Sequence, residues 1–316
     1  MKFLKVFAGI LISVFFLFLA VRNVNFNDAM QVIRSIRWGF LVFIVFVNIF
    51  GLVVRSIRWK IIVNQDIPVK KFFQATCVGQ FTNNVLPFRM GDLAQGYFLG
   101  IKANLSKSVA FSTVVLERLL DIMPPMLIIV LGSFFVLMPS QISFSRIFLI
   151  VGLIVLLMFI IVKFQKVIPG FFRKCLPENK ISNKFCTFLE QFFLAFGFVK
   201  DRKRAVPIIA LTLLLWLTYS FPVYLCFKAF NLSLGYLPAF IVLAVTAISV
   251  AIPSSPGYVG TWEFFGTLAL GIFGIDKTVG LSFALIYHIV GFLPVTIIGF
   301  FVLLHSGISI SKLEKQ

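Results

Sequence analysis

Charge is scarce in this chain, and so are histidine and paired cysteine. Only 13% of the 316 residues are charged, against roughly 25% in soluble domains, which excludes an ordinary water-soluble fold. Four cysteines (Cys77, Cys175, Cys186, Cys226) show no C-x-x-C spacing, which argues against a disulfide framework or a zinc site. The two histidines, His288 and His305, stand alone, so no metal and no cofactor are expected. A phosphate-cradling G-x-x-x-x-G-K-[ST] loop is also missing. Any energy input must therefore come from gradients or mass action. No A-x-A site follows the apolar stretch that runs to Val21, so that stretch reads as a retained first span.

What is present is grease. Hydrophobic residues make up 60% of the chain, Phe alone numbers 41, and the mean hydropathy is +1.03. The class is all-α integral membrane, a polytopic bundle of about eight transmembrane helices. Spans are predicted near 4–21, 39–54, 117–138, 147–162, 206–229, 236–252, 261–275 and 280–304, all within one membrane domain, 1–316. The net charge of +18 collects between the spans. Arg55, Arg58, Lys60, Lys70 and Lys71 follow the second span, ten basic residues from Lys163 to Arg204 follow the fourth, and Lys312 and Lys315 close the chain. Lys and Arg favour the cytoplasmic side, so both termini are expected there, in the inner (plasma) membrane of the cell. The same charges attract anionic headgroups. They flank spans rather than forming a soluble domain, which excludes a nucleic-acid partner.

Two stretches break the pattern. Asn83-Asn84-Val85-Leu86-Pro87-Phe88-Arg89-Met90-Gly91-Asp92 lies inside residues 72–104, too polar for a lipid-facing span and best read as a re-entrant hairpin. A second broken segment, 251–263, holds Pro253, Pro256, Gly257, Gly260 and Glu263. Irregular backbone at membrane depth survives only where protein buries it or a wet cavity meets it. One break in each half is the pattern of a transporter with its site at the breaks, and it hints at an inverted repeat. Residues 163–205 form a basic cytoplasmic connection, with Phe185, Phe188, Leu189, Phe192, Phe193 and Phe196 in one helical stripe. That stripe suits a helix lying in the headgroup layer or one packed on the bundle. The pentapeptide Arg-Ser-Ile-Arg-Trp occurs at 34–38 and again at 55–59, a boundary signature in both places.

Ionisable residues inside apolar runs are expensive and mark function by default. Asp92, Glu117, Asp121 and Glu263 are of this kind. Arg118 reaches Asp121 at i+3, and Pro124 and Pro125 free backbone carbonyls just beyond. Glu117 and Arg118 fit either a site or an ion pair at the membrane boundary. Arg89, just past the helix break at Pro87 and before Gly91, suits a phosphate or a pairing with Asp92. Glu263 fits a headgroup contact or a helix cap.

These motifs resemble the flippase-like membrane domain of the lysylphosphatidylglycerol synthase, or multiple peptide resistance factor, superfamily. The matching pieces are Arg58-Trp59, Gly79-x-Phe81-x-Asn83-x-x-Leu86-Pro87-x-Arg89-x-Gly91-Asp92, Glu117-Arg118-x-x-Asp121 and Pro253-x-x-Pro256-Gly257-x-x-Gly260-x-x-Glu263. The resemblance implies a protein that moves a phospholipid with an anionic or modified headgroup between leaflets. It would place Asn83, Arg89, Asp92, Glu117, Arg118, Asp121 and Glu263 at the headgroup. Family members often carry Arg where Gln95 stands, and no soluble synthase domain follows the last span. The expected activity is thus a flippase-like carrier and not an enzyme. A membrane-embedded transferase using an acid as base, or a partner subunit of a lipid-modifying enzyme, are the alternatives. A homo-oligomer is a further expected form.

Overall fold

The computed structural model describes residues 2–86, 90–132, 149, 152–153, 156, 160, 163–164, 167–177, 179–252 and 254–308. Among them the chain is all-α. In order run α1 (Lys2–Val21), α2 (Phe26–Arg34), α3 (Trp38–Val63), α4 (Val69–Val85), α5 (Gly91–Ala103) and α6 (Lys107–Gly132). There follow α7 (Val167–Cys175), α8 (Lys180–Ala195), α9 (Arg202–Ala229), α10 (Tyr236–Ala251), α11 (Thr261–Gly271) and α12 (Lys277–Ser306). Short 3-10 turns cover Phe196–Lys200 and Pro256–Tyr258. Most of the span expected at 147–162, like Pro87, Arg89 and Pro253, lies outside the described residues.

Asparagine does much of the punctuation. Asn23, Asn64, Asn104 and Asn231 all adopt positive φ at or just past helix ends, a conformation that asparagine tolerates better than most residues with a Cβ. Asn25 starts α2 by accepting the N–H groups of Asn27 and Asp28. Asp201 and Asp276 do the same for α9 and α12.

By length and composition α3, α9 and α12 can each cross a bilayer, at 26, 28 and 30 residues. Residues 9–21 and helix α2 pass that measure together but bend by 83° at their junction. Helix α3 runs antiparallel to α9, and the pair threads two separate hydrophobic cores. One gathers Leu41 and Ile44 with Val223, Phe227 and Phe283. The other gathers Trp59 and Ile62 with Phe72, Phe98, Leu116 and Ile208. Between them the two helices carry polar side chains: Arg55 and Arg58 on α3, Thr212 and Tyr219 on α9.

The two broken segments appear as helix–break–helix units. Helix α4 ends at Val85 and packs against α5, which starts at Gly91, and α10 ends at Ala251 before α11 starts at Thr261. Helix α4 also packs on α12, where Gly299 sits against the Cys77 carbonyl. A Cβ there would overlap that oxygen and lie 2.5 Å from the Phe81 Cβ. Gly299→Val is therefore expected to lower stability by about 1–3 kcal/mol, the usual range for overpacking. Thermal unfolding in detergent checks this; an unchanged midpoint would show that the two helices can separate at no cost.

The aromatic stripe of α8 is split. Phe193 and Phe196 are buried with the core and Phe192 packs on Phe196, whereas Phe185 stays exposed. Half of the stripe thus joins the bundle instead of lying wholly in a headgroup layer.

Candidate functional site

Between the two cores lies a network of six charged side chains. On α3, Arg55 and Arg58 are three residues apart and share one face. Opposite them α6 presents Glu117, Arg118 and Asp121. The Arg55 Nη2 lies 2.6 Å from Asp121 Oδ2, and the Arg58 Nη2 lies 2.7 Å from Asp121 Oδ1 and 3.3 Å from Glu117 Oε1. Arg118 Nη2 reaches Asp92 Oδ1 at 2.8 Å, and its Nη1 reaches Asp121 Oδ2 at 3.4 Å. Three cations meet three anions, so the group is formally neutral. Neutrality is what makes such a cluster tolerable away from water.

Neutral polar groups complete the network. Gln95 Nε2 donates to Glu117 Oε2 at 3.2 Å, and Arg118 donates to Gln95 Oε1 at 3.4 Å. Arg55 donates to the Tyr219 hydroxyl and Arg58 to Thr212 Oγ1. Asn83 spans the first break: its Oδ1 accepts the Gly91 N–H at 2.7 Å, and its Nδ2 donates to Asp92 Oδ1 at 3.2 Å. That arrangement needs α4 and α5 almost in contact. Only glycine allows it, because a Cβ at Gly91 would overlap the Gly79 carbonyl oxygen.

The network has a dry end and an open end. The side chains of Arg58 and Glu117 are 0% exposed, whereas those of Asp92, Arg118 and Asp121 retain 21%, 20% and 18%. Among the described residues, the Nε–H groups of Arg55, Arg58 and Arg118 find no hydrogen-bond acceptor. Unmet donors on buried guanidinium groups are uncommon and call for a reason.

The second break holds a separate site. Gly260, at φ 90°, donates its N–H to Glu263 Oε2 at 2.6 Å, and Glu263 Oε1 meets His288 Nδ1 at 2.6 Å. The sequence predicts that Glu263 converges with Asp92 and Asp121; in the structure it contacts neither, being used up by its own helix start and by α12. Ser13 of α1 steadies the break by accepting the Ser255 N–H at 2.8 Å. The breaks themselves do meet. Gly257, at φ 72°, faces Phe292 and the Asn84 carbonyl oxygen, and Asn84 Nδ2 donates to Thr296 Oγ1 at 2.6 Å.

Charged residues from helices α3, α5 and α6 thus meet in one network beside two abutting helix breaks. The family description "Lysylphosphatidylglycerol synthase TM region" matches residues 6–299. The chain belongs to this family. It is similar to a UPF0104 membrane protein of Methanocaldococcus jannaschii, 25% identical over 314 residues and covering 93% of each chain. A second UPF0104 protein of that organism is 25% identical over 225 residues, covering 69% of this chain and 91% of the relative. One from Pyrococcus horikoshii is 22% identical over 286 residues, covering 82% and 85%. No solved structure matches the chain. This lysylphosphatidylglycerol synthase TM-region protein is a multi-pass membrane protein.

In this family member the structure brings together Asn83, Asp92, Glu117, Arg118 and Asp121 and leaves Glu263 apart. Sequence reasoning missed Arg55 and Arg58 as site residues, because they read as loop charges after a span ending at 54. Helix α3 runs on to Val63 and buries both. Their i,i+3 spacing opposite a buried acid pair was the available signal. Gln95 reads as a weak point in the motif, yet it is 1% exposed and bridges Glu117 to Arg118. His288 offers no metal motif, and its partner is a carboxylate 25 positions earlier.

Proposed function

We propose that the protein carries a membrane phospholipid, with an anionic or modified headgroup, between leaflets. The observation that supports this reading is the neutral six-charge network with three unmet guanidinium N–H donors and one exposed edge. A phosphate at that edge would meet Arg118 first, and arginine recognises phosphate bidentately. Asp92, Arg118 and Asp121 form the edge a headgroup reaches first, while its acyl chains stay in lipid.

The chain works as a carrier and not as an enzyme in this account. Each acid of the network is engaged by arginine, and none has the freedom that a general base needs. The protein sits in the cell's inner membrane with both termini cytoplasmic. Taking Arg55 and Arg58 out of the loop count still leaves Lys60, Lys70 and Lys71 on that face.

The test is reconstitution into vesicles with headgroup-labelled phosphatidylglycerol, phosphatidylethanolamine and cardiolipin, followed by quenching of the outer leaflet. The quenched fraction is expected to exceed half for at least one lipid and to rise faster than in empty vesicles. Movement no faster than in empty vesicles for the whole panel would end the proposal. Arg118→Lys keeps the charge but loses the planar fork, so a several-fold slower exchange with unchanged folding is expected.

A further inference from the structure

The Glu263–His288 pair has no role in the headgroup network, yet burying it is costly. It lies where the second break begins α11, with Trp262 stacked over the imidazole (centroids 5.1 Å apart, planes at 27°) and the Phe292 edge at 5.6 Å. With both ring nitrogens protonated the imidazole is a cation. The carboxylate on Nδ1 balances that charge, and the pair is then net neutral. Histidine changes charge within the physiological pH range, unlike any other unperturbed side chain. Its second nitrogen, Nε2, makes no hydrogen bond to a described residue, and 11% of the side chain remains exposed. A proton can therefore arrive at Nε2 without breaking the bond to Glu263.

Among the described residues, elements packed around the pair bring no second ionised partner. Residues 9–21 of α1 contain no ionisable group, and α10 contains only Tyr236, bonded to Ser220. On α12, Tyr287 is turned to Trp262, Lys277 holds the Leu19 and Arg22 carbonyls, and His305 bonds Phe301. On α4, Cys77 lies at Gly299 and Lys70 and Lys71 at the far end; α2 carries Asp28 and Arg34 on its exposed side. On α9, Cys226 is buried in the core, Tyr219 bonds Arg55, and Lys228 lies over the Tyr224 ring. The α3 arginines belong to Asp121 and Glu117. Among the described residues, no other ionised group compensates the carboxylate when the imidazole loses its proton.

The pair also links the two breaks. Glu263 caps the break through Gly260, and Phe292 bridges His288 to Gly257, which faces Asn84 in the first break. Asn83, the residue before it, holds Asp92 of the headgroup network. From this we propose that Glu263 and His288 form the proton-binding site that couples lipid movement to a transmembrane proton gradient. The inference rests on the carrier reading above. Proton uptake at Nε2 gives a neutral pair, and release leaves a lone carboxylate that pulls on the Gly260 N–H.

The test uses the full chain in phosphatidylethanolamine–phosphatidylglycerol vesicles with headgroup-labelled phosphatidylglycerol as probe, with and without an imposed pH gradient. Without a gradient, Glu263→Gln and His288→Gln are expected to exchange the probe within about twofold of the unaltered protein. With the gradient, the unaltered protein is expected to build a leaflet asymmetry that reverses with the gradient's sign and collapses with a protonophore, and both variants are expected to build none. Exchange that ignores the gradient overturns the coupling and leaves the carrier reading standing. No exchange in any condition overturns both. Because the chain has two histidines, His305→Gln leaves His288 as the sole imidazole for 15N NMR in bilayers. A ring signal that keeps one protonation state at every pH overturns the proposal even if lipid moves.

Discussion

Asp121→Asn is expected to be among the most damaging single substitutions in the chain. One Asp121 oxygen takes Arg58 at 2.7 Å, the other takes Arg55 at 2.6 Å, and Arg118 also reaches the second at 3.4 Å. Without that carboxylate, three guanidinium groups share two acids, and one of the three, Arg58, is fully buried. Breaking a buried pair from one side costs roughly 3–5 kcal/mol. The 18% exposure of Asp121 places this case toward the lower end, since water can reach the gap. Unfolding curves in detergent should show the loss. Adding Arg58→Gln to Asp121→Asn restores charge balance and should recover part of it, because residues in one network are not additive. Strict additivity of the two changes would mean that the charges do not act together.

Gly91→Ala follows closely, for a steric reason. The added methyl would overlap the Gly79 carbonyl oxygen and sit 2.5 Å from Asn83 Cγ and 2.6 Å from Asn83 N. Two of these three atoms are backbone and cannot rotate away. Relief requires α4 and α5 to part, which also pulls Asn83 off Asp92. Both stability and lipid exchange should fall, stability by more than the ~1–3 kcal/mol of ordinary overpacking. Gly39→Ala is the control: it lies in α3 with nothing within 4 Å of the added atom. It should be neutral or slightly stabilising, as alanine is the better helix former. Equal behaviour of the two variants would contradict the close α4–α5 approach.

Much of the architecture was legible. Apolar runs placed α1, α9, α10 and α12 to within a few residues, because long hydrophobic segments bounded by Asn, Asp or Gly leave little choice. The first break was legible too: amides, proline and glycine cannot sit in lipid as regular helix. The second was legible as a break, with Glu263 open to either a headgroup contact or a helix cap. Sequence alone could not say that Glu263 is consumed by Gly260 and His288, since those partnerships depend on how α11 meets α12.

The repeated pentapeptide shows the limit most clearly. At 34–38 it ends α2, with Arg34, Arg37 and Trp38 exposed; at 55–59 it lies within α3, with Arg55, Arg58 and Trp59 buried. Trp38 is 57% exposed and Trp59 0%. Identical local sequence thus gave an exposed helix end once and the heart of the site once. The difference is supplied by α6, which brings Glu117 and Asp121 to the second copy and nothing comparable to the first. Tertiary partners decide the fate of a charge near a membrane, and they are not written within five residues of it.

The most direct measurement of the central claim is photo-crosslinking from a phosphatidylglycerol probe carrying a diazirine on its headgroup, with the adducts mapped by peptide mass spectrometry. The account predicts adducts on α5 and α6 around Asp92, Gln95 and Arg118, lost in Arg118→Gln while that variant remains folded. Adducts confined to the basic helices α7 and α8, or an α5–α6 pattern that Arg118→Gln leaves unchanged, would contradict it.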